Sequence, residues 1–260
     1  MDYLTKTAAS WWRDFLIASM FFTRLPLPSA HADADAPPSL ADAVRAFPLA
    51  GLLIGALGAL ALMIASKFGW HPVVAVLIAL GAIALITGAL HEDGLADVAD
   101  GFGGGRDRAD KLAIMRDSRI GSFGVMALIF SVGIRAGTLA SFLSPGAAAL
   151  ALVAAHVLSR ATLSAAMLWL APARDNGLGA GAGRPDLDGV VTGGILAVAI
   201  ALLTVGFGAG IAAAVAAALA ALIVGLIAQR QIGGQTGDVL GATQQAAETA
   251  AILGAAWILG

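Results

Sequence analysis

The sequence predicts an all-α, polytopic membrane helix bundle of about six to seven transmembrane helices, and three observations carry that prediction. Hydrophobic residues make up 59% of the 260 and charged residues only 12%, against roughly 45–50% and about 25% in soluble domains. The apolar residues fall in long runs that barely alternate, which favours helices over a β-barrel. Lys and Arg lie almost entirely on one side of the alternating spans. A soluble chain of this length could not bury so much apolar surface and still coat itself with charge, whereas lipid solvates the outside of a bundle. Mean hydropathy is +0.87 and the isoelectric point about 6.0. The net charge of −2 argues against a nucleic-acid partner. With no Cys there is no disulfide, no thiol nucleophile and no Cys-ligated zinc. The chain reads as one integral membrane domain, 1–260.

Residues 1–28 read as an interfacial N-terminal helix, because Trp11, Trp12, Phe15, Phe21 and Phe22 suit the membrane boundary. Ala30-His31-Ala32 imitates a cleavage site, but Asp14 and Arg24 bracket a very short apolar core and Pro26 and Pro28 break it, so a signal peptide is rejected. Residues 29–39 read as a loop. The first span runs from about Phe47 to Ser66 and carries Gly51 and Gly55, a small-xxx-small pair that predicts close helix packing. The second runs from about Val73 to Leu90, the third from Ser122 to Leu143 and the fourth from Ala147 to Leu170. The stretch from Val190 to Ala228 is too long for one crossing, and Gly206, Gly208 and Gly210 predict a tight reversal within it. A last apolar segment, Ala246 to Gly260, is short for a crossing. Lys6, Arg13, Arg24 and Arg45 precede the first span, Arg106 to Arg119 separate the second and third, Arg174 and Arg184 the fourth and fifth, and Arg230 follows the sixth. Only Lys67 falls on the other side, which puts the N-terminus and these loops in the cytoplasm.

Of the 32 charged residues, 12 lie between Glu92 and Arg119. On a helix at roughly 100° per residue, Asp93, Asp97 and Asp100 fall within about 60° of one another, and Glu92 about 100° to one side. The line of carboxylates is about 10 Å long. Crowding three carboxylates is repulsive without a cation. A hard divalent ion reverses that cost, and Mg²⁺ is the usual choice beside phosphate. The alternative is a solvated acidic helix end. Gly94 and Gly101 share a flank where a missing side chain lets a ligand approach. Gly103-Gly104-Gly105 reads as a flexible loop that could fold over a nucleotide. Arg116 and Arg119 are candidate phosphate ligands because the guanidinium fork donates bidentately; as topology signals alone they would need no fork.

Further features stand outside this segment. Arg135 and Arg160 fall inside spans, where a charge faces a cavity or a partner. They serve either substrate phosphates, acids of other helices, or a structural bridge. Asp238, on the same predicted side as the acidic line, is a candidate to complete a metal site. His91 abuts that line and is a candidate for substrate binding. His156 sits one turn from Arg160, and His71 precedes Pro72 in a predicted loop.

The run His91-Glu92-Asp93-Gly94-Leu95-Ala96-Asp97-Val98-Ala99-Asp100-Gly101-Phe102-Gly103-Gly104, with Lys111 and Ile114-Met115-Arg116-Asp117-Ser118-Arg119-Ile120-Gly121-Ser122-Phe123-Gly124, resembles the signature of the cobalamin synthases, the adenosylcobinamide-GDP ribazoletransferases. Phe21-Phe22-Thr23-Arg24-Leu25-Pro26, Phe47-Pro48-Leu49-Ala50-Gly51 and Gly237-Asp238 through Ala242, with Gln244 and Glu248, are similar to that family too. The resemblance spans nearly the whole chain. It implies a multi-pass protein of the bacterial inner membrane that joins adenosylcobinamide-GDP to α-ribazole or its 5′-phosphate and releases GMP with Mg²⁺. It implies Asp93, Asp97 and Asp100 as catalytic residues, with Glu92 and Asp238 joining them around the metal. The substrate contacts would come from His91, Gly94, Gly101, Arg116, Asp117, Ser118, Arg119 and Arg160. A homo-oligomer is left open.

Two alternatives compete. A CDP-alcohol-type phosphotransferase of lipid synthesis would keep the metal site, but Gly94-Leu95-Ala96-Asp97 lacks the Ala-Arg that such enzymes carry after the first Gly. A transporter with an acidic ion site predicts charged or broken helices near mid-membrane in both halves, whereas these acids gather at one boundary.

Overall fold

The computed structural model describes residues 3–28, 39–174 and 181–260. Residues 29–38 of the predicted loop, His31 among them, lie outside the described residues. Ten α-helices and two short 3₁₀ turns make up the described fold.

Helix α1 (Tyr3–Phe22) ends before the two prolines that the chain cannot continue through. It buries Leu16, Ala18 and Phe22 and leaves Trp12 and Met20 exposed. It is pinned to the 3₁₀ turn Leu40–Ala46 by Arg45, whose Nε donates to Asp14 at 2.7 Å and whose guanidinium lies 4.6 Å from the Trp11 ring centre. Helix α2 (Phe47–Ala65) follows directly, with Pro48 in its first turn, where a missing N–H costs nothing. The predicted Gly51–Gly55 face does pack closely. A Cβ on Gly51 would collide with the carbonyl of His156, and one on Gly55 would lie 2.9 Å from Cα of Val153.

Helix α3 (Pro72–Thr87) begins at His71, whose Nδ1 accepts the Val73 N–H at 3.4 Å. It is stopped by two left-handed residues, Gly88 (φ +66°) and Ala89 (φ +56°). Ala89 is the one non-glycine with positive φ among the described residues, and together the two turn the chain by 93° into α4 (Leu90–Gly104). Thus α4 leaves the direction of the spans just where the acidic residues begin. Helix α5 (Arg108–Ile114) is capped by Asp107, and α6 (Ser122–Ala140) returns to apolar sequence.

Helix α7 (Pro145–Trp169) is the central pillar: every residue from Ala151 to Arg160 is buried. Helices α8 (Leu187–Val205) and α9 (Phe207–Ile232) reverse at Gly206, φ +81°, where the glycines predicted it. Unlike α7, they and α6 expose rows of Leu, Ile, Val and Phe, the surface that lipid would solvate. Helix α10 (Gly237–Leu259) starts at Thr236, whose Oγ1 accepts the Val239 N–H at 3.2 Å. It is longer than the apolar segment that foretold it, and its first half is polar yet buried against α4, α7 and α9.

Five segments are individually long and apolar enough to cross a membrane: residues 40–68, α6, α7, α8 and α9. The apolar α3 counts toward a sixth only if it and α4 are taken as one broken span, and the 93° bend carries α4 out of the span direction. The all-α polytopic reading therefore holds, with five or six candidate crossings. The segment considered for a seventh forms the buried helix α10, which carries Asp238, Gln244, Gln245 and Glu248.

Candidate active site

The bend after α3 projects α4 along one end of the bundle with its acids on two different faces. Asp93 is exposed and Asp97 half-buried. Neither carboxylate makes a hydrogen bond or ion pair among the described residues, and the charge of Arg174 offsets their proximity at i, i+4 only in part. Burial, and then the charges of Asp93, Asp238 and Asp100, push the Asp97 carboxyl up to about 7. Asp238, at the first turn of α10, faces the same acids. Its carboxylate takes a 2.8 Å ion pair from Arg174 and a 3.2 Å hydrogen bond from the Thr236 hydroxyl. Burial raises its pKa while Arg174 and Thr236 oppose the rise.

Asp100 is placed differently. Its two oxygens accept the N–H groups of Gly121 at 2.7 Å and Gly124 at 2.9 Å. These are donors at the start of α6 that have no partner within the helix, and the helix dipole favours a carboxylate there. Gly121 and Gly124 are required because a Cβ on either would collide with that carboxylate. Glu92 also departs from the line. Its Oε1 accepts from Gln245 at 3.1 Å and lies 4.0 Å from Arg135 Nη2, so it faces the bundle interior.

On the side where a Cβ would stand, the glycine flank packs closely against protein, while Gly94 also lines a cleft beside the acidic face. A Cβ on Gly94 would lie 2.8 Å from the Asp238 carbonyl and 3.2 Å from Cα of Gly241, and one on Gly101 would meet Met115 and the Lys111 carbonyl. These glycines let α10 and α5 approach α4. Likewise Gly103 and Gly104 continue α4 and Gly105 caps it, so the triplet expected as a flexible loop is mostly helix.

Beyond α5, Arg116, Asp117, Ser118 and Arg119 are all exposed. Arg119 binds Asp117 through Nη2 at 2.6 Å and its backbone N–H at 3.1 Å. These bonds, side chain first, hold the Asp117 carboxyl down at about 2. The Arg119 fork therefore already grips a carboxylate, the same geometry that a phosphate would take in exchange.

Arg135 and Arg160 find their partner across the bundle in Glu248 of α10. Its Oε1 accepts from Arg135 at 2.7 Å. Its Oε2 accepts from Arg160 at 3.0 Å and from Gln244 at 2.6 Å, with His156 Nδ1 at 3.0 Å. Gln244 and Gln245 extend the network to Ser159 and Glu92. Of the readings considered for these arginines, pairing to an acid on another helix is what the structure shows. The sequence signal was available: Glu248 is the one acid deep in the last helical segment. Arg108 was read only as a topology signal. It donates to the carbonyls of Ile232, at 2.8 Å, and Ala173, tying α5 to the C-terminus of α9.

The cobalamin-5-phosphate synthase family matches residues 14–256. The chain belongs to that family. Similar curated relatives named adenosylcobinamide-GDP ribazoletransferase include that of Bradyrhizobium diazoefficiens, 48% identical over 97% of this chain and 96% of the relative. Those of Mesorhizobium japonicum (48% identical, 92% of this chain and 91% of the relative) and Azorhizobium caulinodans (47%, 91% and 92%) agree. No solved structure matches the chain. For a cobalamin-5-phosphate synthase, a site of oxygen donors on α4 and α10 is chemically suited to a hard cation. Among the described residues no three His, Asp or Glu side chains converge closely enough to hold an ion by themselves. The expected five-residue metal set of Glu92, Asp93, Asp97, Asp100 and Asp238 is therefore not assembled among the described residues.

Proposed function

We propose that this chain joins adenosylcobinamide-GDP to α-ribazole, or to its 5′-phosphate, and releases GMP, in the late assembly of vitamin B12. Family membership and the names of the relatives support the reaction. The observation that carries the site is the Asp93–Asp97 pair, two neighbouring carboxylates on one helix face with no protein partner.

In the reaction a ribose hydroxyl of the acceptor forms a new P–O bond at the phosphorus that bears the cobinamide. The P–O bond to GMP breaks, and GMP leaves with the electron pair. The hydroxyl proton passes to a carboxylate of the acidic face. Asp93 and Asp97, with Asp238 beside them, are the residues that would hold Mg²⁺; bound there, the ion supplies charge neutralisation to the phosphates. Arg174 holds Asp238 in place. Arg116 and Arg119 serve as phosphate ligands, Arg119 by exchanging Asp117 for substrate. The Lys/Arg distribution supports insertion in a bacterial inner membrane with the N-terminus and this site in the cytoplasm.

The deciding experiment is GMP release by the purified, membrane-reconstituted chain given adenosylcobinamide-GDP and α-ribazole, with and without Mg²⁺. Release only with both substrates and the metal is the expected result. No release from folded, inserted protein would overturn the assignment.

A further inference from the structure

A cleft of about 110 Å³ opens beside the acidic face, lined by two kinds of residue. Asp93, Gly237 and Asp238 supply its acidic part. The remaining wall is apolar and aromatic, with Phe21, Phe22, Phe47, Leu163 and Met167. The rings form an edge-to-face set: Phe21 to Phe22 at 5.1 Å and 81°, and Phe22 to Phe47 at 4.9 Å and 83°. His91 lies 5.6 Å from Phe22 in the same wall. It is 3% exposed, and its imidazole makes no hydrogen bond among the described residues.

We infer that this cleft is the base site of the acceptor nucleoside: it takes a flat aromatic base with a single ring-nitrogen acceptor, a benzimidazole, and leaves the attached ribose at Asp93. The inference rests on the proposed transferase reading and assigns one of its two substrates to a place.

Three arguments converge on that occupant. The cleft is small, with room for a flat base and not for a corrin macrocycle with its ring of amide side chains. Guanine, the other base in the reaction, presents donors and acceptors along two edges. Seated among the phenylalanines, it would find one polar side chain, His91, and most of those groups would be buried unpaired, which is a heavy selectivity cost. A benzimidazole nucleoside has one free ring nitrogen, and an N–H of His91 can serve it while the aromatic walls cover its faces. The position of Asp93 adds the third argument. It belongs both to the cleft and to the acidic face, so a base seated among the phenylalanines puts its own ribose hydroxyl at the reacting end.

The test compares Leu163→Trp, which fills the cleft, with His91→Phe, which keeps a ring and removes the nitrogens. KM is measured separately for α-ribazole and adenosylcobinamide-GDP, and α-ribazole binding is measured without Mg²⁺ by equilibrium dialysis. Leu163→Trp should raise KM and Kd for α-ribazole at least tenfold. His91→Phe should raise them about fivefold, the worth of one net hydrogen bond. KM for adenosylcobinamide-GDP should stay within twofold in both. A rise confined to adenosylcobinamide-GDP would place guanine or corrinoid in the cleft and overturn the proposal, as would unchanged constants for both substrates. If wild-type protein releases no GMP, the reaction assignment fails. Dialysis still decides the cleft, because wild-type binding of α-ribazole that both variants weaken supports it and absence of binding refutes it.

Discussion

Replacing Glu248 by Gln should destabilise this protein more than almost any other single conservative change. The carboxylate is 1% exposed and accepts from Arg135 at 2.7 Å and Arg160 at 3.0 Å. Gln keeps the shape and removes the charge, leaving two buried guanidinium groups. The next acid, Glu92, lies 4.0 Å from Arg135. Removing one partner of a buried pair costs about 3–5 kcal/mol. At about 2–4 °C per kcal/mol for a chain of this size, the melting temperature should fall by roughly 6–20 °C. The assay is the thermal loss of monodisperse protein in detergent, followed by size-exclusion chromatography. The sign of the argument has an internal control: Arg135→Met, Arg160→Met and Glu248→Met together remove charges and counter-charge alike, so the triple variant should recover much of the loss. A Glu248→Gln protein that melts with the wild type would refute the view that this carboxylate balances the two arginines.

The acidic helix yields a separation of roles: Asp93→Asn and Asp97→Asn should each abolish most GMP release without lowering the melting temperature. Asp100→Ala should also lower it, by the loss of a helix cap worth about 1–2 kcal/mol; equal thermal stability of all three would contradict the placement of Asp100. Because Asp97 is pushed up to about 7, protons compete with the metal below that pH. The half-saturating Mg²⁺ concentration should rise as pH falls from 8 to 6, by up to about tenfold per unit, and a flat profile would count against Asp97 as a ligand. Arg116→Lys and Arg119→Lys keep charge and lose the fork, so each should slow GMP release about tenfold to a hundredfold if it grips phosphate in the transition state; wild-type rates would leave these residues as topology signals. Finally, a Cys introduced by Ala109→Cys should resist a membrane-impermeant thiol reagent in intact cells, and labelling from outside would invert the topology.

Local pattern was enough to place most of the helices. Apolar run lengths and the Gly206 reversal act over a few residues, and each appears in the structure close to where the sequence put it. The helical face shared by Asp93 and Asp97 was legible for the same reason: periodicity is a local property. Two places resisted. The last helix starts near Gly237 as its sequence suggests, but the apolar segment Ala246 to Gly260 understates its buried length, because polar residues that are nonetheless buried interrupt the hydropathy signal. The Gly103–Gly105 triplet was read from intrinsic flexibility, which neighbouring helices overrode by packing Phe123 and Lys111 against it.

Taken alone, the sequence determined the membrane class, the approximate spans, the acidic motif and the family resemblance, because hydrophobicity and motif spacing are written along the chain. Only the tertiary structure decided what each charge faces. Asp93 and Asp97 are left unpaired, Asp100 caps α6 across 21 residues, and Glu92 turns inward. Glu248 neutralises arginines 113 and 88 residues away. Helical periodicity tells which residues share a face but not which helix will cover that face. That choice is set by close approach at Gly51, Gly94 and Gly241, where bare backbones let particular helices meet and so select the partner of every buried charge.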